Sequence, residues 1–399
     1  MKKTKEQMEE KEIEDLFEDY GTGGRKNRKA GKNGRAKRRN IFKIPLILTS
    51  MLLCFLVGGF CGAKWYLRSA KQETSGRPQN VQGEGELSLE VAQILSEDPD
   101  QAQQELKERL LEEYETGAEQ GKRDVLDKIR LSLTDGKSIV DSLRPYYDDQ
   151  IIIASNGQYH FVPIRDDMKH NSYEQEHLQI LDNGELQYEQ DGNVTSYKGI
   201  DVSKFQGEID WQQVASDGVT FAFIRAGFRG YGEKGTLVAD EAAEANIAGA
   251  NSAGIKTGVY FYTQAITLEE AREEAQLVLD LIAPYRIDCP VVIDVEKVSK
   301  AGARMNALSP KERTDIVLTF CEMIEQAGYQ PMVYYNMEMA TLMLETERLE
   351  QYDKWFAYYR TDLYYPYEYL IWQYSDKGQV AGISENVDMN IAFKPIWKD

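Results

Sequence analysis

The chain has 399 residues, 42% of them hydrophobic and 11% aromatic, enough for a membrane anchor and two or three folded units. Its formal net charge of −19 argues against a nucleic-acid binder, whose affinity rests on clustered Lys and Arg. It describes instead a solvated acidic surface.

The charge is unevenly spread. Residues 1–19 are mostly acidic with some lysine, and residues 25–39 (RKNRKAGKNGRAKRR) are strongly basic. Residues 44–63 then run uncharged and mostly apolar, about the 20 residues that span a hydrocarbon core. Basic residues on the N-terminal flank predict a cytoplasmic N-terminus, with everything after Arg68 outside the cell. They also suit anionic lipid headgroups. A cleaved signal peptide would have a shorter apolar run followed by a small-residue cleavage site. Here residues 64–68 (KWYLR) read as an interfacial anchor. The expected order is a cytoplasmic tail 1–43, a single-pass transmembrane anchor 44–67, a flexible linker 68–86, an extracellular α+β spacer or accessory region 87–195, and a barrel over 196–399.

In residues 87–143, Leu106, Leu110, Leu111 and Tyr114 share one helical face, as do Val125, Leu126, Ile129 and Leu133. Gly117, Gly121 and Gly136 predict a break into several helices. Asn156-Gly157 and Asn183-Gly184 each sit between short apolar-bearing runs, which predicts two β-hairpins. His160, His170 and His177, the only histidines, lie here at spacings that match no metal motif.

From Tyr197 short strands alternate with helices. Strands are expected at 198–202, 220–225, 257–262, 290–296, 331–335, 355–358, 370–374 and 386–391, and helices at 211–216, 240–253, 268–282 and 310–327. Such alternation predicts a parallel sheet. Eight strands in about 200 residues suggest a closed α/β barrel, irregular in its last third because the late connections are short.

Four carboxylates fall at or near strand ends: Asp201, Asp294, Glu296 and Asp388. Asp294 and Glu296 are two apart on one strand, so both side chains point into the barrel mouth, with backbones about 6.6 Å apart. Paired acids at separations of about 5–9.5 Å cleave glycosidic bonds: one protonates the leaving oxygen and the other stands beside the developing oxocarbenium ion. Clustered carboxylates resist full ionisation, so one stays protonated near neutral pH; the longer Glu296 is the candidate acid. The barrel region contains no histidine, which removes Ser-His-Asp and Cys-His mechanisms, and it carries no phosphate-binding glycine fingerprint. Of the aromatics on strands, Tyr262, Tyr334 and Trp372 come nearest strand ends and are the candidates for packing on sugar rings. Cys289 and Cys321 form no CxxC and have no histidine nearby, so no metal or other cofactor is expected. The pair is compatible with a disulfide or with two buried thiols.

The segments Gly199-Ile200-Asp201-Val202-Ser203 with Gln206 and Trp211, Phe223-Ile224-Arg225-Ala226-Gly227, Val292-Ile293-Asp294-Val295-Glu296, Trp372-Gln373-Tyr374-Ser375 and Val387-Asp388-Met389-Asn390 together resemble the glycoside hydrolase family 25 muramidases, the Chalaropsis-type lysozymes, over residues 197–399. The resemblance implies an irregular (β/α)5(β)3 TIM-like barrel. It also implies hydrolysis of the β-1,4 bond between N-acetylmuramic acid and N-acetylglucosamine in peptidoglycan. It makes Glu296 the acid and Asp294 its partner, with Asp201 and Asp388 completing the acidic cleft and Gln206 a further substrate-binding candidate. Asp294 would either attack the sugar or orient the substrate's acetamido group. The partners expected are peptidoglycan strands and membrane lipid. The alternative is a non-catalytic wall-glycan binder on the same barrel, which would have less need of four clustered acids.

Overall fold

The structure is a computed structural model that describes residues 99–300 and 302–397. The expected cytoplasmic tail, transmembrane anchor and linker lie outside the described residues, and among the described residues no helix is long and apolar enough to cross a membrane. The chain divides into two compact units at Leu131. The end of the first is one helix, α1 (Pro99–Thr134), 36 residues long. The expected breaks at Gly117 and Gly121 do not occur: each glycine has open space around it, and its cost of about 1 kcal/mol is spread over a long run of strong helix formers. Gly136, with φ +84°, lies just past the end.

The second unit begins with a short helix, α2 (Ile139–Leu143), capped by the Ser138 side chain. Strands β1 (Gln150–Ser155) and β2 (Gln158–Pro163) follow as an antiparallel hairpin. Asn156 and Gly157 turn it with φ of 50° and 76°, the left-handed pair a two-residue hairpin needs. The second Asn-Gly hairpin is β3 (Leu178–Ile180) with β4 (Leu186–Gln190), and a short β5 (Asn193–Val194) extends that sheet.

The barrel strands are β6 (Tyr197–Val202), β7 (Phe221–Arg229), β9 (Lys256–Tyr262), β10 (Val291–Asp294), β11 (Pro331–Asn336), β12 (Asp353–Ala357), β13 (Ile371–Gly378) and β14 (Val387–Ala392). All eight occupy the expected positions. A three-residue strand, β8 (Leu237–Ala239), was not foreseen; it pairs antiparallel with the outer part of β7. The sheet closes because β6 pairs with both β7 and β14. Seven of the strands run parallel, but β14 is antiparallel to β13 and to β6. The purely parallel sheet expected from the alternation therefore fails at its last strand, where the connection is too short to carry the chain back across the barrel.

Helices α3 (Trp211–Ser216), α4 (Ala243–Ser252), α5 (Leu268–Ile282) and α6 (Pro310–Gln326) cover the early strands. Helix α6 starts on a capping box between Ser309 and Glu312 with Pro310 at its first position. Alternation along the strands sorts the core. Phe221, Phe223, Val292, Met332, Trp355 and Ile371 fill the barrel interior, while Ile224, Val259, Ile293, Val333 and Phe356 face the outer layer. Gly199 is required at its place because any Cβ there would enter the ring of Phe221. Cys289 and Cys321 are buried free thiols.

Candidate active site

The parallel strands deliver their C-terminal ends to one mouth, where a cleft of about 800 Å³ opens. Asp201 reaches it from the end of β6 and Asp294 from the end of β10. Glu296 lies two residues past β10 and still faces the cleft, because Val295 N–H continues the ladder to Tyr334 O at 3.1 Å. Asp388 is the second residue of β14 rather than near its last. Because that strand is reversed, its start lies at the mouth, directly opposite Asp201 in the β14–β6 register. All four expected carboxylates thus line one cleft.

A hydrogen-bonded frame holds Asp201. Gln373 Nε2 and Asn390 Nδ2 each donate to its Oδ2 at 2.8 Å. Trp355 Nε1 donates to Asn390 Oδ1 at 2.8 Å. An indole N–H can only donate, so it fixes the Asn390 amide with its NH₂ toward the carboxylate. The hydroxyls of Tyr334 and Tyr359 do the same for Gln373, donating to its Oε1 at 2.8 and 2.9 Å. Asp294 is buried, and its Oδ1 makes no hydrogen bond within the described protein.

Of the substrate-binding candidates, Tyr334 and Gln206 line the cleft. Gln206 also closes a capping box with Ser203, accepting from Ser203 N–H at 2.8 Å. Tyr262 and Trp372 do not line it. Tyr262 is covered by Phe228, Tyr231, Val298 and Ala303, because β7 continues past a bulge at Arg225 to pair with β8 and carries these rings over it. Trp372 alternates with the cleft residue Gln373, so it faces the outer core, where its Nε1 donates to Tyr358 O at 2.7 Å. Nearness to a strand end was the wrong criterion, since it ignored which face each residue occupies. The aromatics that line the cleft are Phe205, Tyr260, Tyr334, Trp355, Tyr358 and Tyr359.

The profile of glycosyl hydrolases family 25 matches residues 200–383. The chain is 32% identical over 206 residues to the uncharacterized protein YegX of Escherichia coli K12, covering 48% of this chain and 68% of that protein. The chain belongs to glycosyl hydrolase family 25. It is also 28% identical to an autolytic lysozyme of Clostridium acetobutylicum, covering 48% of this chain and 55% of that one. Among solved structures, the modular autolysin LytC of Streptococcus pneumoniae aligns with a TM-score of 0.46 and 23% identity, over 60% of this chain and 57% of that one.

The family 25 cleft gathers four carboxyl groups in buried or half-buried positions. Burial first, then the charges of Glu296 and Asp201, hold Asp294 well above the usual carboxylate range. Burial raises Glu296 to about 7, against a lowering hydrogen bond from Tyr334. Burial raises Asp201 to about 6 in spite of its amide donors. Asp388 is held up by burial and by Asp201 opposite. All four are thereby shifted toward the protonated form. Arg225 also lines the cleft, paired with Asp240 at 2.7 Å; its positive charge partly offsets the acids around Asp294.

Two consequences for pH follow from Glu296. A general acid works only when protonated, so activity should fall as pH rises through about 7. Tyr334→Phe removes the hydroxyl that Gln373 Oε1 and Glu296 share, and with it an interaction that favours the ionised form of Glu296. Its alkaline limb should therefore move to higher pH. A pH–rate profile of the two proteins checks both points, and a limb that moves down would contradict the assigned bond.

Sequence reasoning missed Gln373 and Asn390, the two amides that orient Asp201. Both lie on strands already recognised, and the signal available was a polar residue on the inward face of an otherwise apolar strand, which requires a buried partner. Outside the cleft, Glu174, Glu176 and His177 form an exposed group close enough to hold an ion, although His177 already stands 3.7 Å from Glu174.

Proposed function

We propose that this chain is a membrane-anchored lysozyme, a muramidase that hydrolyses the β-1,4 bond between N-acetylmuramic acid and N-acetylglucosamine in peptidoglycan. The observation that carries the reading is the convergence of Asp201, Asp294, Glu296 and Asp388 on one cleft of a family 25 barrel. Further support comes from relatives that bear lysozyme names, in Clostridium acetobutylicum and Streptomyces globisporus.

In this mechanism Glu296 gives its proton to the leaving glycosidic oxygen, and Asp294 stands beside the positive charge that develops on the sugar. Asp294 either attacks the sugar or orients the substrate's acetamido group. Asp201, fixed by two amides, supplies standing negative charge, and Asp388 opposite it takes the shared proton. Digestion of purified walls followed by mass analysis of the released ends tests the reading. New reducing ends on muramic acid support it; ends on glucosamine, or none, sink it.

The anchor part of the proposal is motivated by the basic run 25–39 beside the apolar run 44–63. Protease added to wall-stripped cells should remove the barrel and leave a protected N-terminal fragment. Free barrel in the medium, beginning near residues 64–70, would show a cleaved signal instead.

A further inference from the structure

The family profile begins at residue 200, yet the cleft has a wall built from residues before it. Ile153 of β1 lines the cleft together with Met337 and Glu338. The strand alternates so that Ile151 and Ile153 join the core that the barrel contributes to, and Ile153 keeps 9% of its surface exposed.

The hairpin is clamped at both ends. At its tip, the Ser155 hydroxyl donates to Glu338 Oε1. The Lys297 ammonium donates to Asn156 Oδ1 at 2.9 Å and to the same Glu338 oxygen at 2.5 Å. Lys297 directly follows the acid Glu296, and Glu338 lies two residues beyond β11. Near its base, the Arg144 guanidinium lies 3.6 Å from the centre of the Tyr364 ring and donates to the hydroxyl of the cleft residue Tyr358 at 2.6 Å. Arg360 pairs with Asp141 of α2 at 3.1 Å. A single exposed ion pair would hold little. Here several charge-assisted bonds converge on the segments that follow β10, β11 and β12.

We propose that the β1–β2 hairpin is an added saccharide-binding wall of this cleft. In it Ile153, backed by Met337, packs on the apolar face of a sugar unit flanking the cleaved bond, and the latch of Ser155, Asn156, Lys297 and Glu338 holds the wall in place. The substrate class is the glycan of the proposed muramidase reading, on which this inference rests.

The test uses the full chain and purified, peptide-free glycan strands, with turnover measured in the wild type, Ile153→Ala, Ile153→Val and Asn156→Gly. The last keeps the left-handed turn and removes the Lys297 acceptor. Each change is also placed in a Glu296→Gln background, where glycan binding is read by calorimetry without cleavage. Expected are a KM about two-fold higher for Ile153→Ala with kcat retained, the size of the small surface that Ile153 leaves to a ligand, and a matching rise in Kd. Ile153→Val should show a smaller rise, and Asn156→Gly, which loosens the whole wall, a rise at least as large as that of Ile153→Ala. Unchanged KM and Kd with a lowered Tm would overturn the proposal in favour of a strut. A kcat loss at constant KM would also overturn it, by assigning the hairpin an effect on Glu296 through Lys297. If the wild type cleaves no glycan, the muramidase reading fails, and the calorimetric comparison still decides the wall. No glycan binding at all overturns both.

Discussion

Glu296→Gln should leave a folded barrel whose turnover on glycan strands falls by about 10²–10⁴-fold, the range for removing a general acid. Glutamine keeps the shape and can still meet the Tyr334 hydroxyl, but it has no proton to give to the leaving oxygen. The same substitution has a second, opposite effect. Burial raises the Glu296 carboxyl to about 7, so the folded state prefers the neutral form more than the unfolded chain does. That contribution to stability is complete below the unfolded value and is lost as pH rises through about 7. The amide cannot ionise, so at pH 8 the variant should unfold at a temperature equal to or above that of the wild type. Catalysis lost with stability retained or gained identifies an active-site acid. Turnover near the wild-type level would remove Glu296 from the mechanism, and an inactive variant with a collapsed Tm would leave the loss to misfolding.

Asp294→Asn should lower kcat by about 10²–10³-fold, the size found when one preorganised electrostatic partner of a transition state is removed. Asparagine cannot become the carboxylate that would steady the positive charge growing on the sugar. Ground-state binding changes less, because asparagine keeps the side chain's shape and the charge matters only as positive charge develops on the sugar. The loss should therefore appear in kcat, with KM within a few-fold. Normal kcat with poor KM would make Asp294 a recognition group.

The eight barrel strands were legible because buried strands announce themselves as short β-branched and aromatic runs, and because the helices between them carry readable caps such as Ser309-Pro310. The four acids were legible because charge at the end of an apolar strand has few structural uses. The reversal of β14 was not legible, since a six-residue strand reads the same in either direction. Direction mattered: it makes the beginning of the strand, and hence Asp388, the part that meets the cleft. The aromatic choices failed at Trp372 because a ring and its neighbour Gln373 exchange faces with a shift of one residue. Tyr262 failed because nothing in its own strand foretells the β7–β8 extension that covers it. The single long helix was lost to an over-reading of isolated glycines.

Barrel closure by β14 also fixes when the site comes into being. Asp201 stands on the first strand of the ring, and its two amide donors, Gln373 and Asn390, lie 172 and 189 residues further along. A chain synthesised from its N-terminus has made the helices and most of the sheet before either donor exists, and a nascent chain ending before Val387 lacks both Asp388 and the strand that seals the ring. Contacts of such long sequence separation form late, because they must overcome loop-closure entropy before they return any stabilisation. The acidic centre is thus assembled last, by the final strand, and no partial chain carries it. Activity in a refolding experiment should lag behind the recovery of secondary structure and appear together with the burial of Trp355, whose indole N–H joins that final strand at Asn390.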